Sequence, residues 1–110
     1  MADLLTELTA DGGWVLWIGQ PVMRNQEFDA KMQVLNQIYV EELARHPRAL
    51  YVDSRAVMSD ENGAYSAYLP DATGDQQLVR QADGVHLTSV GGDRLAPVII
   101  ARLNEIAPLR

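Results

Sequence analysis

The sequence predicts a single α/β domain, and three observations lead to this prediction. Two short apolar runs, at residues 14–18 and 49–53, lack the polar alternation of a half-exposed strand and are typical of a parallel sheet. The residues between them show a helical period, so that strand, helix and strand follow one another as a βαβ unit. The length of 110 residues suits one domain.

The first two elements follow from apolar spacing and chain breakers. Three leucines on one stripe precede a glycine pair, which predicts a short helix over residues 3–11. The uninterrupted apolar run at 14–18 predicts a strand that is buried on both faces. Trp14 and Trp17 are therefore expected in the core.

The middle of the chain predicts a long amphipathic helix and a second strand. A helix over residues 27–45 is indicated by large apolar side chains at spacings of three and four, namely Phe28, Met32, Leu35, Tyr39 and Leu43. Pro47 prevents its extension. The apolar run at 49–53 then predicts the second strand, which ends in the carboxylate of Asp53.

The last third of the chain predicts a hairpin-like insertion and a final helix. Residues 64–69 and 76–81, separated by the turn signal at 70–75, predict a small hairpin on the surface. Thr88 is the predicted N-cap of the last helix, and Pro97 is expected to kink that helix or to shift its start. The apolar face of this helix holds Leu95, Val98 and Ile99.

The predicted sheet is small, because two strands make a meagre parallel sheet. The run at 14–18 needs a neighbour on each side, and the chain supplies one. Two interpretations follow. Either the chain pairs with another copy, or it is the C-terminal part of a larger α/β domain.

Composition and charge exclude several functional classes. Hydrophobic residues make up 47% and charged residues 22% of the chain, which is typical of a folded domain. A formal net charge of −6, with scattered arginines, argues against nucleic-acid binding. The absence of cysteine excludes thiolate metal sites and cysteine nucleophiles. No apolar run approaches the roughly 20 residues of a membrane span, and no signal peptide is predicted, which leaves the localisation open.

The candidate catalytic residues are Asp83 and His86. An Asp three residues before a His, with Gly84 between them, can fold back in a tight turn. The carboxylate then fixes the tautomer of the imidazole and leaves its other nitrogen as a general base. His46 is expected to be a solvated residue at a helix end. Asp53, Asp83 and His86 lack the spacing of metal ligands, and neither a metal nor a cofactor is predicted.

Four segments of the chain, in order, carry a resemblance to a known family. They are residues 17–24, 51–53, 64–71 and, most specifically, 83–96, where Asp-Gly-Val-His precedes a helix that begins Thr-Ser-Val-Gly. Together they resemble the C-terminal half of the SGNH (GDSL-like) hydrolase superfamily, in a bacterial group once known only as DUF459. The resemblance implies that residues 1–110 are a single C-terminal segment of a flavodoxin-like, three-layer α/β/α sandwich.

The resemblance also implies an activity. It suggests a serine esterase or acyltransferase that acts on acyl esters, commonly of carbohydrates or lipids, without a metal. By position, Asp83 is the triad acid and His86 the general base. Full-length relatives of this kind are often exported.

The sequence departs from the family pattern at the nucleophile. The family places its serine in a Gly-Asp-Ser motif and completes the oxyanion hole with a Gly and an Asn from later blocks, and none of these blocks occurs in this sequence. Ser54 is the least unsuitable substitute among the four serines, although a turn or cap hydroxyl explains it better. We therefore expect the isolated chain to be inactive, with the missing residues supplied by an N-terminal half.

Four further residues are candidates for substrate binding. Met23 and Arg24, in the loop after the first strand, are expected to line a substrate cleft, unless they form a solvated loop. Tyr65 and Tyr68 are expected to flank an acyl or carbohydrate group, unless they pack within the hairpin. The alternative function is a non-catalytic interaction module, in which an exposed edge strand pairs with another chain or another copy.

Overall fold

A computed structural model describes residues 1–106 of the chain and shows a mixed α/β fold, which confirms the predicted fold class. The helices and strands predicted from the apolar periodicity begin and end close to their expected residues. In chain order the elements are α1 (Ala2–Thr9), β1 (Val15–Ile18), α2 (Gln26–Leu43), β2 (Ala49–Val52), α3 (Ser54–Met58), β3 (Tyr68–Pro70), β4 (Gln76–Leu78) and α4 (Ser89–Ile106).

The two predicted strands form a parallel pair in which Val15 lies opposite Ala49. One face of this pair packs on α1 and α2, where it forms a core cluster of Leu5, Leu43 and Ala49 with Val15, Trp17, Tyr39 and Tyr51 around it. The Trp17 and Tyr39 rings meet in a tilted arrangement with centroids 5.0 Å apart. This cluster holds the βαβ unit together.

Two expectations about this strand pair are wrong. Trp14 is not in the core but 45% exposed, because it precedes Val15, the first residue of the strand that pairs. Nor is β1 buried on both faces, since Ile18 is 42% exposed. Within residues 1–106, β1 has β2 as its one partner, so no second strand covers its outer edge.

Helix α3 was not predicted, and it begins directly at the carboxyl end of β2. Asp53 is its N-cap and accepts hydrogen bonds from the backbone N–H groups of Arg55 and Ala56. Ser54 and Met58, at the two ends of this short helix, are fully buried. The helix thus turns the chain from the sheet towards the hairpin.

The predicted hairpin is present, with Tyr68 opposite Leu78 in an antiparallel pair. It is more than a surface insertion, because Leu69 and Val79 pack with Met58 in a second core cluster. All three side chains are at most 2% exposed. The hairpin therefore forms a core of its own with α3.

Helix α4 begins at Ser89, where the Thr88 hydroxyl accepts a hydrogen bond from the Gly91 N–H at 3.1 Å. The N-cap is therefore the predicted one, and Pro97 lies inside the helix without shifting its start. The Thr88 hydroxyl also donates to the Leu78 carbonyl at 2.7 Å, which joins the helix to the hairpin. Across the part of the chain that the structure describes, no helix combines the length and apolar character needed to cross a bilayer.

Candidate active site

The turn between the hairpin and α4 brings Asp83 and His86 together. One carboxylate oxygen of Asp83 (Oδ1) accepts the backbone N–H groups of Val85 at 2.8 Å and of His86 at 3.0 Å. The other oxygen (Oδ2) lies 2.5 Å from the His86 Nδ1. Gly84 enables this tight turn with a φ of +71°, a conformation that residues with a Cβ rarely adopt. Both oxygens of one carboxylate thus organise the turn.

The electrostatics of the turn define which ring nitrogen of His86 carries the proton. The hydrogen bond from His86, together with the two backbone N–H groups, holds the pKa of Asp83 well below its usual value. Asp83 is therefore ionised at neutral pH and only accepts hydrogen bonds. Nδ1 of His86 must then be the donor, which leaves Nε2 of the neutral ring as a free base.

Backbone contacts on both sides hold His86 in place. The His86 carbonyl accepts the Gln81 N–H at 2.8 Å, and Arg80 and Leu87 form an antiparallel bridge next to it. On the helix side, Gly91 lies against the backbone of Val79, where a Cβ would be only 2.2 Å from the carbonyl oxygen. His86 therefore lies at a corner that hairpin and helix fix together, while its side chain is 72% exposed to solvent.

A cavity of about 320 Å³ adjoins the imidazole of His86. It lies at the carboxyl end of β1, which is the edge at which α/β sheets usually bind ligands. The walls are largely apolar, and they are formed by the segment after β1, by α3, by the turn and by α4. The lining residues are Ile18, Gly19, Gln20, Pro21, Met23, Ser54, Val85, His86, Leu87 and Leu95.

The loop after β1 reaches the turn through Met23 and Arg24. Met23 is 4% exposed and lines the cavity beside His86. Arg24 instead braces the turn, because its backbone N–H donates to the Gly84 carbonyl at 3.2 Å and its guanidinium to the Ala82 carbonyl at 2.9 Å. The structure thus brings both loop residues to the turn, but the Arg24 side chain does not line this cavity.

The two tyrosines that were expected to flank the substrate, Tyr65 and Tyr68, lie away from the His86 cavity. Tyr65 lines a neighbouring cavity of about 390 Å³, which it shares with Met23 and Arg24, and its ring lies under the guanidinium of Arg80. Tyr68 is 54% exposed and faces a third cavity beside Ser59 and Arg94. Neither tyrosine reaches the cavity that contains His86.

Ser54 lines the His86 cavity, but its hydroxyl already has a structural role. The side chain is 1% exposed, and Oγ donates to the Gly19 carbonyl at 2.5 Å. Ser59 and Ser66 likewise donate to backbone carbonyls, and Ser89 is an exposed residue at the start of α4. The contacts of Ser54 therefore match a turn hydroxyl better than a nucleophile.

Two features near the site were not predicted from the sequence. The first is a bidentate ion pair in which Arg55 contacts both carboxylate oxygens of Asp29, at 2.7 and 3.0 Å. Burial alone would raise the pKa of Asp29, but the hydrogen bonds from Arg55 and from the Met23 N–H lower it below its usual value. The second is Arg80, whose side chain is buried beneath the turn. No cluster of metal-ligating side chains occurs among residues 1–106.

Comparison with known proteins identifies the chain at the level of a family. The model of a family described as "Protein of unknown function (DUF459)" matches residues 1–102, which is nearly the whole chain. No curated protein matches the sequence. The matched range includes the turn that carries Asp83 and His86.

Proposed function

Since the chain belongs to the DUF459 family, which is SGNH-hydrolase-like, we propose that it supplies the acid and base of an acyl-ester hydrolase or acyltransferase. Residues 1–110 are, in this proposal, one C-terminal segment of an SGNH-type domain. The observation that carries the proposal is the 2.5 Å contact between Asp83 Oδ2 and His86 Nδ1. It leaves Nε2 as an exposed base at the mouth of an apolar cavity.

The chemistry that this pair supports is proton transfer to and from oxygen. Nε2 of His86 takes the proton of a serine hydroxyl while the serine Oγ bonds to the ester carbonyl carbon. The imidazolium then returns this proton to the departing alcohol oxygen as the acyl–oxygen bond breaks. Asp83 stabilises the imidazolium and does not itself become protonated. Water or a second alcohol finally releases the acyl group by the same steps, which gives hydrolysis or transfer.

The nucleophile of this proposal is the serine of the family's Gly-Asp-Ser block, which this sequence does not contain. The buried hydroxyl of Ser54, bonded to the Gly19 carbonyl, supports this assignment to a residue outside the 110-residue sequence. The donors of the oxyanion hole come from this block and from the Gly and the Asn of the later blocks, none of which occurs in this sequence. A base without these groups loses most of the rate, so the isolated chain is expected to be inactive.

The apolar cavity favours the acyl part of the substrate. Met23, Leu87 and Leu95 present hydrocarbon surface close to the imidazole of His86. Apolar walls also exclude water, which strengthens the electrostatic contacts of a developing oxyanion. We therefore propose an acyl ester, carbohydrate-linked or lipid-linked, as the substrate class.

The test restores the missing half. The Gly-Asp-Ser half of a DUF459 relative is fused before Met1, and hydrolysis of p-nitrophenyl acetate and butyrate is measured. The isolated chain is expected to give negligible hydrolysis and no serine labelling by a fluorophosphonate. The fusion is expected to hydrolyse the esters, and His86→Ala is expected to lower kcat by about 10³-fold or more.

His46 provides the matched control for this experiment, because it is the second of the two histidines. His46→Ala in the fusion should leave the rate unchanged. Ester hydrolysis by the fusion that survives His86→Ala would contradict the proposal. A robust rate in the isolated chain that His86→Ala abolishes would instead move the nucleophile into these 110 residues.

One observation favours a second candidate function, a non-catalytic interaction module. The outer edge of β1 has no strand beside it in the described range 1–106, and Trp14 and Ile18 next to it are exposed. Free strand edges pair readily with other chains. Size-exclusion chromatography over a concentration series discriminates the two: a concentration-dependent oligomer without fluorophosphonate labelling favours the module, and a monomer throughout argues against it.

A further inference from the structure

The side chain of Arg80 is buried beneath the turn that carries Asp83 and His86. It is 1% exposed, and none of the ion pairs within residues 1–106 includes it. Its Nε is buried without a hydrogen-bond partner. Burying a guanidinium in this way is costly, and an apolar side chain of similar size is often at least as stable at such a position. The contacts that Arg80 does make therefore call for an explanation.

These contacts join two segments that are distant in the sequence. One terminal nitrogen of the guanidinium donates to the Val22 carbonyl at 2.5 Å, and the other donates to the Val85 carbonyl at 2.7 Å. The second nitrogen also lies 3.4 Å from the sulfur of Met23. Val85 belongs to the turn, and Val22 and Met23 belong to the loop after β1. The planar fork thus fixes the distance between the turn and the loop that walls the cavity.

The surroundings of Arg80 keep the fork in one orientation. The ring of Tyr65 lies 5.0 Å from the guanidinium carbon, at cation–π distance. The backbone of Arg80 pairs with Leu87 in an antiparallel bridge, so that the two ends of the turn are held together. Burial lowers the pKa of Arg80, and the negative charge of Asp83 acts against this shift.

We propose that Arg80 is the positioning residue of the Asp83–His86 pair: by bonding the Val85 and Val22 carbonyls at once, it holds the imidazole in register with the cavity wall. This assignment rests on the function proposed above, in which His86 is the base. Arg24 supports the turn from outside through the Ala82 and Gly84 carbonyls. Arg80 supports it from within, and it alone of the two spans to Val22.

The test follows the tautomer of His86, which a merely structural residue would not change. The wild-type chain is labelled with ¹⁵N, and the imidazole nitrogens are observed by NMR at a pH where the ring is neutral. The tautomer with the proton on Nδ1 is expected to be about tenfold more populated than the tautomer with the proton on Nε2. This ratio corresponds to the net free energy of one charge-assisted hydrogen bond. Arg80→Met, which keeps the length of the side chain but removes its donors, is expected to reduce this preference to about twofold or less.

Two further variants keep the test decisive. Arg80→Lys retains the charge but reaches one carbonyl at a time, so an intermediate preference is expected, and this variant replaces Arg80→Met if the latter does not fold. Arg94→Met is the matched control, because Arg94 also donates to two backbone carbonyls, those of Val57 and Pro70, away from the turn. The ratio of the two His86 tautomers in Arg94→Met should equal that of the wild type. The ring of His46 serves as an internal reference in every spectrum.

The outcomes separate this inference from the proposed function. The role of Arg80 is overturned if folded Arg80→Met keeps the wild-type preference for the proton on Nδ1, or if this preference is unchanged in Arg80→Lys. Asp83 and His86 then remain a pair without Arg80. Loss of the preference in Arg94→Met as well shows a general loosening and also overturns it. If the wild-type chain itself shows no preference for Nδ1, the Asp83–His86 pair is absent, and the proposed function fails with it.

Discussion

The glycine pair at the start of α4 allows a quantitative prediction about packing next to the site. A Cβ on Gly91 would lie 2.2 Å from the carbonyl oxygen of Val79, whereas ordinary contact begins at 3.4 Å. Helix and hairpin must therefore separate by about 1 Å in Gly91→Ala, because the obstacle is backbone and cannot rotate away. Overpacking of this kind costs about 1–3 kcal/mol of unfolding free energy.

Gly92 provides the control within the same turn of helix. A Cβ at Gly92 meets no atom within 4 Å, so Gly92→Ala should gain about 1 kcal/mol from helix propensity alone. Gly91→Ala has the same gain in propensity, and the difference between the two variants therefore isolates the packing cost. With a urea m-value of about 1–3 kcal/mol/M, the unfolding midpoints should differ by roughly 1 M.

The measurement is urea unfolding of both variants, followed by tryptophan fluorescence. Gly91→Ala is also expected to shift the NMR signals of Thr88 and His86, since both lie between the hairpin and the displaced helix. Equal midpoints for the two variants, or a more stable Gly91→Ala, would refute the argument that α4 is seated against the Val79 backbone.

Three other changes test the site and the core. Asp83→Asn should invert the His86 tautomer, because the amide donates where the carboxylate accepted, and in the fusion it should lower kcat by about 10⁴-fold; ¹⁵N NMR that still shows the proton on Nδ1 would contradict this. Asp29→Asn should weaken the loss of stability in acid, because the fold holds the pKa of Asp29 below its ordinary value of 3.8. The unfolding free energy that this carboxylate contributes is present above pH 3.8 and is lost as the pH falls through and below that value. Unfolding midpoints from pH 2 to 7 that match those of the wild type would argue otherwise. Leu69→Ala should cost about 2–5 kcal/mol in urea unfolding, whereas Tyr68→Ala beside it should change stability by less than about 0.5 kcal/mol, and similar values for both would mean that the hairpin core is not formed.

The parts of the fold that the sequence predicts well are those encoded by local periodicity. The parallel pair follows from two uninterrupted apolar runs, and the long helix between its strands follows from apolar side chains at spacings of three and four. The contact between Asp83 and His86 could also be predicted, because it is encoded within four consecutive residues. The two residues are three apart, and a glycine between them permits the positive φ that the turn requires.

The parts that were missed depend on contacts between distant segments. Arg80 is charged, and charged side chains are mostly exposed; its burial depends on Val22, which lies 58 positions earlier. Helix α3 has only five residues, too few for a periodic signal, and its ends are buried by tertiary contacts. Trp14 has an apolar side chain that suggested a core position, but strand pairing begins one residue later. No pattern within a short window contains this information.

Val79 and Arg80 are consecutive, and the first fills an apolar cluster while the second reaches towards the turn that carries Asp83 and His86. A slip of this segment by a single residue would exchange their surroundings, so that a guanidinium would enter the apolar cluster and an aliphatic side chain would take its place beneath the turn. The alignment is set by the tight loop at 71–75, where the Asp71 carboxylate binds the N–H groups of Thr73 and Asp75. Loop length at the far end of the hairpin is therefore a constraint on the geometry of the Asp83–His86 turn, and one inserted residue there should be tolerated less well than its exposure suggests.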